Sequence, residues 1–143
     1  MKLYQIIEKL GRPEKPVVSF VGAGGKTSCI LELADDWAAR GKSVLVTTTV
    51  HMERPEILER TGWMDQSAEN IRKALETPGV VIAGSRSETL QKIRELSEEV
   101  YSQAASKAQA VLVEADGSRK FPVKVPGKNE PVIREDTTHI LIL

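Results

Sequence analysis

Five short apolar runs, each set off from the next by glycines, charges and stretches of helical spacing, restrict this chain to few folds. They are Val17-Val18-Ser19-Phe20-Val21, Ser43-Val44-Leu45-Val46-Thr47-Thr48-Thr49, Gly79-Val80-Val81-Ile82-Ala83-Gly84, Ala110-Val111-Leu112-Val113-Glu114-Ala115 and Ile140-Leu141-Ile142-Leu143. Most are continuously apolar and do not alternate, the pattern of strands buried on both faces of a parallel sheet. Helices fit between them. Ile30, Leu33, Ala34, Trp37 and Ala38 recur at helical spacing from Lys26 to Arg40, and Gly41 supplies a stop. Pro55 opens a short helix that Gly62 closes, and Ser67 caps another carrying Ile71, Ala74 and Leu75. Ser85 and Glu88 have capping-box spacing, which predicts the longest helix through Leu90, Ile93, Leu96 and Val100 to about Gln103. Repeated strand-helix order means an α/β domain with crossover connections.

At 143 residues the chain suits one domain. Lys plus Arg and Asp plus Glu balance at 20 each, so no basic excess points to nucleic acid. No run approaches the roughly 20 apolar residues of a membrane span. Glu8 and Lys9 interrupt Met1–Leu10, which reads as an amphipathic helix and not a signal peptide. A cytoplasmic location is expected. Cys29 is the sole cysteine, which excludes an internal disulfide and a Cys-rich metal site. Its expected role is packing.

The first run leads into Gly22-Ala23-Gly24-Gly25-Lys26-Thr27-Ser28, and a helix follows at once. Glycines let the backbone turn sharply and present bare N–H groups to an anion. The helix N-terminus adds further N–H groups and a positive dipole end. Lys26 is placed to reach outer phosphates, and the Thr27 hydroxyl to coordinate a Mg²⁺ bridging them. Four residues normally separate the first glycine from Gly-Lys-Thr, which would put a glycine at Phe20. The loop is therefore a shortened form, Gly-x-x-Gly-Lys-Thr, and resembles those of the Mur ligases and folylpolyglutamate synthases. The predicted fold is a P-loop-NTPase-like parallel sheet of about five strands with helices on both faces. A dinucleotide-binding reading fits less well. Its third glycine would fall on Thr27, and the second strand ends in Thr47-Thr48-Thr49 where an acid should meet the ribose.

The fourth run ends Glu114-Ala115-Asp116-Gly117. A phosphate-loop protein needs an acid at such a strand end to hold Mg²⁺ directly or through water. Two residues apart, Glu114 and Asp116 lean to one face, so either can serve the metal while the other orients water or a hydroxyl. Thr47, Thr48 and Thr49 lie at a strand end where open α/β sheets bind ligands, and His51 follows as a candidate acid-base group. His139, before the last strand, is expected to be structural. The stretch from Gly117 to Thr138 holds Pro122, Pro126, Gly127 and Pro131 and is long for a structureless connection, which suggests a functional loop. Arg119, Lys120, Lys124 and Lys128 make it basic, suited to folding over a phosphate or an anionic substrate.

Four blocks in order carry a wider resemblance: Val18 to Thr27, Val46-Thr47-Thr48-Thr49-Val50-His51-Met52, Val113-Glu114-Ala115-Asp116-Gly117-Ser118-Arg119 and Glu130-Pro131-Val132-Ile133. Together they resemble the YqeC family. The resemblance implies a nucleotide-binding accessory role in maturing a selenium-dependent molybdenum hydroxylase, which would be the partner. It implies neither a reaction nor a substrate. It also implies that this chain is the N-terminal part of a longer protein. The Glu114 strand end separately resembles the metal-binding block of dethiobiotin synthetase.

Two functions follow as expectations. The first is a Mg²⁺-dependent ATP or GTP enzyme, hydrolysing nucleotide or transferring phosphoryl to a small molecule, with Lys26 neutralising charge on the departing phosphoryl group. The second is a non-catalytic module that binds nucleotide or a phosphorylated cofactor and delivers it to a partner enzyme.

Overall fold

The apolar runs become neighbouring strands of one sheet. The structure is a computed structural model that describes residues 1–10, 14–22, 24–53, 63–64, 67–86, 92–116 and 131–143, without the side chains of 51–53, 63–64, 86 and 92. In chain order the elements are α1 (Leu3–Leu10), β1 (Val17–Val21), α2 (Lys26–Ala39), β2 (Ser43–Thr48), β3 (His51–Glu53), β4 (Trp63–Met64), α3 (Ala68–Ala74), β5 (Gly79–Arg86), β6 (Lys92–Arg94), α4 (Glu98–Lys107), β7 (Ala110–Glu114) and β8 (His139–Ile142). The strand order is β3-β6-β5-β2-β7-β1-β8, with β4 paired to β5 off this path. From β5 to β8 all neighbours run parallel, so the five expected strands form the parallel core of the sheet.

Both faces are covered at β1, β2, β5 and β7, which is why these strands read as unbroken apolar runs, whereas β8 at the edge leaves Ile140 and Ile142 exposed. On one face Val18, Phe20, Val44, Val46 and Leu112 pack against Ile30, Leu33, Ala34 and Trp37 of α2 and Ile7 of α1. On the other, Val17, Leu45, Val81, Val111 and Val113 pack against Ile71 of α3 and Tyr101, Ala104 and Ala105 of α4. Each large side chain fully removed from water contributes about 1.5–3 kcal/mol. The apolar spacing of α2 thus suffices to fix it on the sheet. Cys29 is half-buried against the same core, and burial, then the nearby charge of Glu32, pushes its thiol pKa up. The Ser67 hydroxyl caps α3 by accepting from the Asn70 amide at 3.2 Å, as its sequence position predicts.

One expectation fails. Ser85 does not open a long helix: it lies in β5 and pairs antiparallel with Arg94. Ile93, expected on that helix, is buried in β6. The helix begins at Glu98 instead, where the Ser97 hydroxyl accepts from the Val100 amide at 3.3 Å. Close strand pairing overrides local spacing here; a Cβ on Gly84 would lie 2.7 Å from the Arg94 carbonyl oxygen. The helix expected between Pro55 and Gly62 lies outside the described residues, as does the basic part of the loop after Gly117.

The topology creates a crevice. The chain leaving β1 crosses over β7 to reach β2, while the chain leaving β7 crosses over β1 to reach β8. The two connections depart in opposite directions at the carboxyl ends of adjacent strands, the place where open α/β sheets bind ligands.

Candidate phosphate-binding site

The glycine-rich loop occupies that crevice. Gly22 leaves β1 at φ +124°, and Gly25 stands at φ +75° as the residue before α2. Both are left-handed values that glycine adopts without strain. No side chain caps α2, and its first turn contains no acid. Its first intrahelical bond runs from the Cys29 amide to the Gly25 carbonyl at 3.1 Å. The N–H groups of Thr27 and Ser28 precede that bond, so the helix itself supplies them no acceptor. Among the described residues, nothing lies within 4 Å of a Cβ built on Gly24 or Gly25. These features fit an anion cradle: helix-start amides, a positive dipole end and, among the described residues, no side chain against Gly24 or Gly25. Thr27 is half-buried, Ser28 is exposed, and Ala23 lies outside the described residues.

Lys26 is only 2% exposed, and its ammonium donates to the Gly22 carbonyl at 2.7 Å. The side chain therefore lies back across its own loop and does not extend outward. The acids lie one strand away. Glu114 is 4% and Asp116 8% exposed, and with Lys26 they are the only buried charged residues among those described. Burying charge is costly unless it is compensated, so three such groups in one crevice mark a built polar site. Register places Glu114 beside Phe20 of β1 and Thr48 of β2. Asp116 Oδ2 accepts from the Gly22 amide at 3.2 Å. Lys26 and Asp116 thus each bond the backbone of Gly22, with Glu114 at the adjoining strand end. No group of three or more His, Cys, Asp or Glu side chains converges as a metal cage among the described residues.

Two of the three threonine hydroxyls at the end of β2 bond backbone groups of neighbouring segments. The Thr48 hydroxyl donates to the Glu114 carbonyl at 2.9 Å and accepts from the Val50 amide at 3.0 Å. The Thr49 hydroxyl donates to the Val132 carbonyl at 2.6 Å. Both tie strand ends together. Thr47 Oγ1 is buried and has no hydrogen-bond partner among the described residues. The backbone of His51 pairs with Arg94 in the antiparallel ribbon, and its side chain lies outside the described residues.

The family model described as YqeC protein matches residues 18–143, a span that contains the loop, the acids and every core strand except the first residue of β1. The chain belongs to the YqeC family. It is similar to the uncharacterized protein YqeC of Escherichia coli (strain K12), with 32% identity over 139 residues. That alignment covers 95% of this chain and 54% of the relative, so the chain spans about half the length of the curated relative it matches. No solved structure matches it. No helix among the described residues is long and apolar enough to cross a membrane.

One further feature of this YqeC-family domain left no signal in the sequence. A cleft of about 630 Å³ opens on the α4 face, bordered by Thr49, Tyr101, Val132 and Arg134. The Arg134 guanidinium lies 3.3 Å from the centre of the Tyr101 ring. It donates to both Glu98 carboxylate oxygens, at 3.0 and 2.8 Å, and to Asp136 Oδ1 at 3.0 Å. The Tyr101 hydroxyl donates to Asp136 Oδ2 at 2.7 Å. The hydrogen bond from Arg134 holds the Glu98 carboxyl below its usual range. Burial, and then the bond to Asp136, pushes the Tyr101 hydroxyl above its ordinary value. His139 Nδ1 lies 2.8 Å from the Thr138 hydroxyl.

Proposed function

We propose that this domain binds a nucleoside triphosphate with Mg²⁺ and hydrolyses it or transfers its terminal phosphoryl group. The reading rests chiefly on one arrangement: an uncapped glycine-rich helix start, with a buried lysine, adjoins a strand that ends in two buried acids. The amides from Gly24 to Ser28 would hold the phosphates, and Lys26 would turn from the Gly22 carbonyl onto them. Thr27, with Glu114 or Asp116, would hold Mg²⁺. One or two protein groups plus phosphate oxygens are the usual complement for this ion, so a cage of three acids is not required. Bound there, Mg²⁺ would neutralise charge on the bridged phosphates. The remaining acid would orient the attacking water or hydroxyl. In hydrolysis, water oxygen bonds to the terminal phosphorus, the bond to the leaving diphosphate breaks, and the water proton passes to solvent.

Family membership supports a reading of the biological setting. The domain would serve the maturation of a selenium-dependent molybdenum hydroxylase, as an enzyme or as a carrier that binds and delivers. Turnover of ATP and GTP by the wild type and by Lys26→Ala separates these roles. An NTPase shows release of phosphate that the variant loses. Tight binding without turnover in the wild type selects the carrier. Equal turnover in both proteins removes the loop from the chemistry.

A further inference from the structure

The segment returning from the acid-bearing strand end lies against that strand end. The Val132 amide donates to the Ala115 carbonyl at 2.8 Å, between Glu114 and Asp116. The Val132 carbonyl accepts from the Thr49 hydroxyl at 2.6 Å, and the Thr49 amide donates to the Glu114 carbonyl at 3.0 Å. One residue, Val132, thus spans the ends of β7 and β2 and touches the backbone that carries both acids. Two residues later, Arg134 fixes this segment to α4. It stacks on Tyr101, grips Glu98 with two parallel bonds and bonds Asp136, which itself accepts from Tyr101. A flat guanidinium held by stacking and bidentate bonds fixes orientation as well as position.

We infer that Arg134 is a positioning residue for the acid pair: clasped to α4, it holds Val132 against Ala115 and so fixes Glu114 and Asp116 at the phosphate-binding crevice. The inference rests on the proposed Mg²⁺-nucleotide reading for its functional part and on the hydrogen-bond chain alone for its structural part. The clasp lies on the α4 face, opposite α2. Loss of the clasp should therefore loosen the acids while leaving the loop amides and Lys26 in place. Partners that orient metal-holding groups typically change metal affinity by about 10–100-fold when removed.

The test uses Arg134→Ala and the milder Glu98→Gln, whose side chain is largely exposed and does not threaten the fold. Amide hydrogen exchange is read at Val132, with the amides of α2 as the control. ATP affinity is then measured with and without Mg²⁺, and the ratio of the two is compared with wild type. The expected result is faster exchange at Val132, unchanged exchange in α2, and a Mg²⁺-dependent gain in affinity reduced by about tenfold in Arg134→Ala and less in Glu98→Gln. A general loss of stability would move both affinities together and leave the ratio alone. Unchanged exchange at Val132 in both variants overturns the clasp. Faster exchange with an unchanged ratio overturns its effect on the acids. Wild-type protein that binds no nucleotide overturns the functional part, while the exchange result still decides the structural part.

Discussion

Lys26 and Asp116 hold a single residue from its two sides: the Lys26 ammonium donates to the Gly22 carbonyl at 2.7 Å, and Asp116 Oδ2 accepts from the Gly22 amide at 3.2 Å. The loop is therefore braced by the two kinds of charge that a polyphosphate and its counter-ion would engage. Asp116→Ala should leave a part-buried amide without its acceptor, at a cost of about 1–3 kcal/mol. Asp116→Asn keeps an acceptor oxygen and should cost less. Urea unfolding of the three proteins checks this, and an alanine variant as stable as wild type would show that the brace does not hold the loop.

Gly22 and Gly24 should respond differently to alanine. At Gly22 a Cβ would lie 2.0 Å from the Leu143 carbonyl oxygen, and φ is +124°. Gly22→Ala should destabilise the fold by about 3 kcal/mol or more, since backbone strain and a backbone clash combine. At Gly24 nothing among the described residues lies within 4 Å of the new methyl group. Gly24→Ala should change stability by only about 0.5 kcal/mol while weakening nucleotide binding, because the methyl enters the cradle. Thermal melts paired with nucleotide titration separate the two effects. Equal loss of stability in both variants would contradict the geometry.

Ser97, and not Ser85, is the cap of α4. Ser97→Ala should cost about 1 kcal/mol, the usual value of a lost N-terminal cap. Ser85→Ala, at a strand position, should cost less. Chemical denaturation of both variants is the check, and the reverse order would restore the helix expected from Ser85.

Alkaline pH should weaken the clasp. The Tyr101 hydroxyl titrates above its ordinary value in the folded protein because of burial and its bond to Asp136. The folded state therefore keeps this proton where the unfolded chain, with a tyrosine pKa of about 10, has lost it. Stability from this group is complete below about pH 10 and falls as pH rises beyond it, by at most about 1.4 kcal/mol per pH unit. Tyr101→Phe should remove that slope. Unfolding free energies from pH 8 to 11 read it, and an equal slope in both proteins would assign it to other groups. Glu98 acts at the opposite end of the scale. Its carboxyl is held low by Arg134, so its contribution is present above the ordinary carboxylate pKa and is lost as pH falls through the lowered one.

What could be read from the sequence was whatever is local or periodic. The core strands, α2 and the Ser67 cap follow from runs and spacings a few residues long. Glycine before lysine and an acid after an apolar strand also located the crevice, because strand ends in a parallel sheet share one edge. The misread region from Ser85 to Val100 shows the limit. Leu90, Ile93, Leu96 and Val100 have helical spacing, yet β6 forms because the edge of β5 offers Ile93 and Arg94 a partner. The clasp was invisible for a similar reason. Tyr101 and Arg134 are far apart in the chain, and nothing near either residue indicates the other. The retraction of Lys26 onto Gly22 is likewise a contact of the folded loop, beyond what residue type alone conveys.

The most direct test is a thermal-shift titration of ATP and GTP, with and without Mg²⁺, on the wild type and Lys26→Ala. A phosphate cradle at Gly22–Ser28 should raise the wild-type melting temperature by mass action, equivalent to about 2.7 kcal/mol at a ligand concentration one hundred times Kd. The shift should be larger with Mg²⁺ and nearly absent in Lys26→Ala. A wild-type protein whose melting temperature stays fixed with either nucleotide, or a Lys26→Ala variant that shifts as much as wild type, would contradict nucleotide binding at this loop.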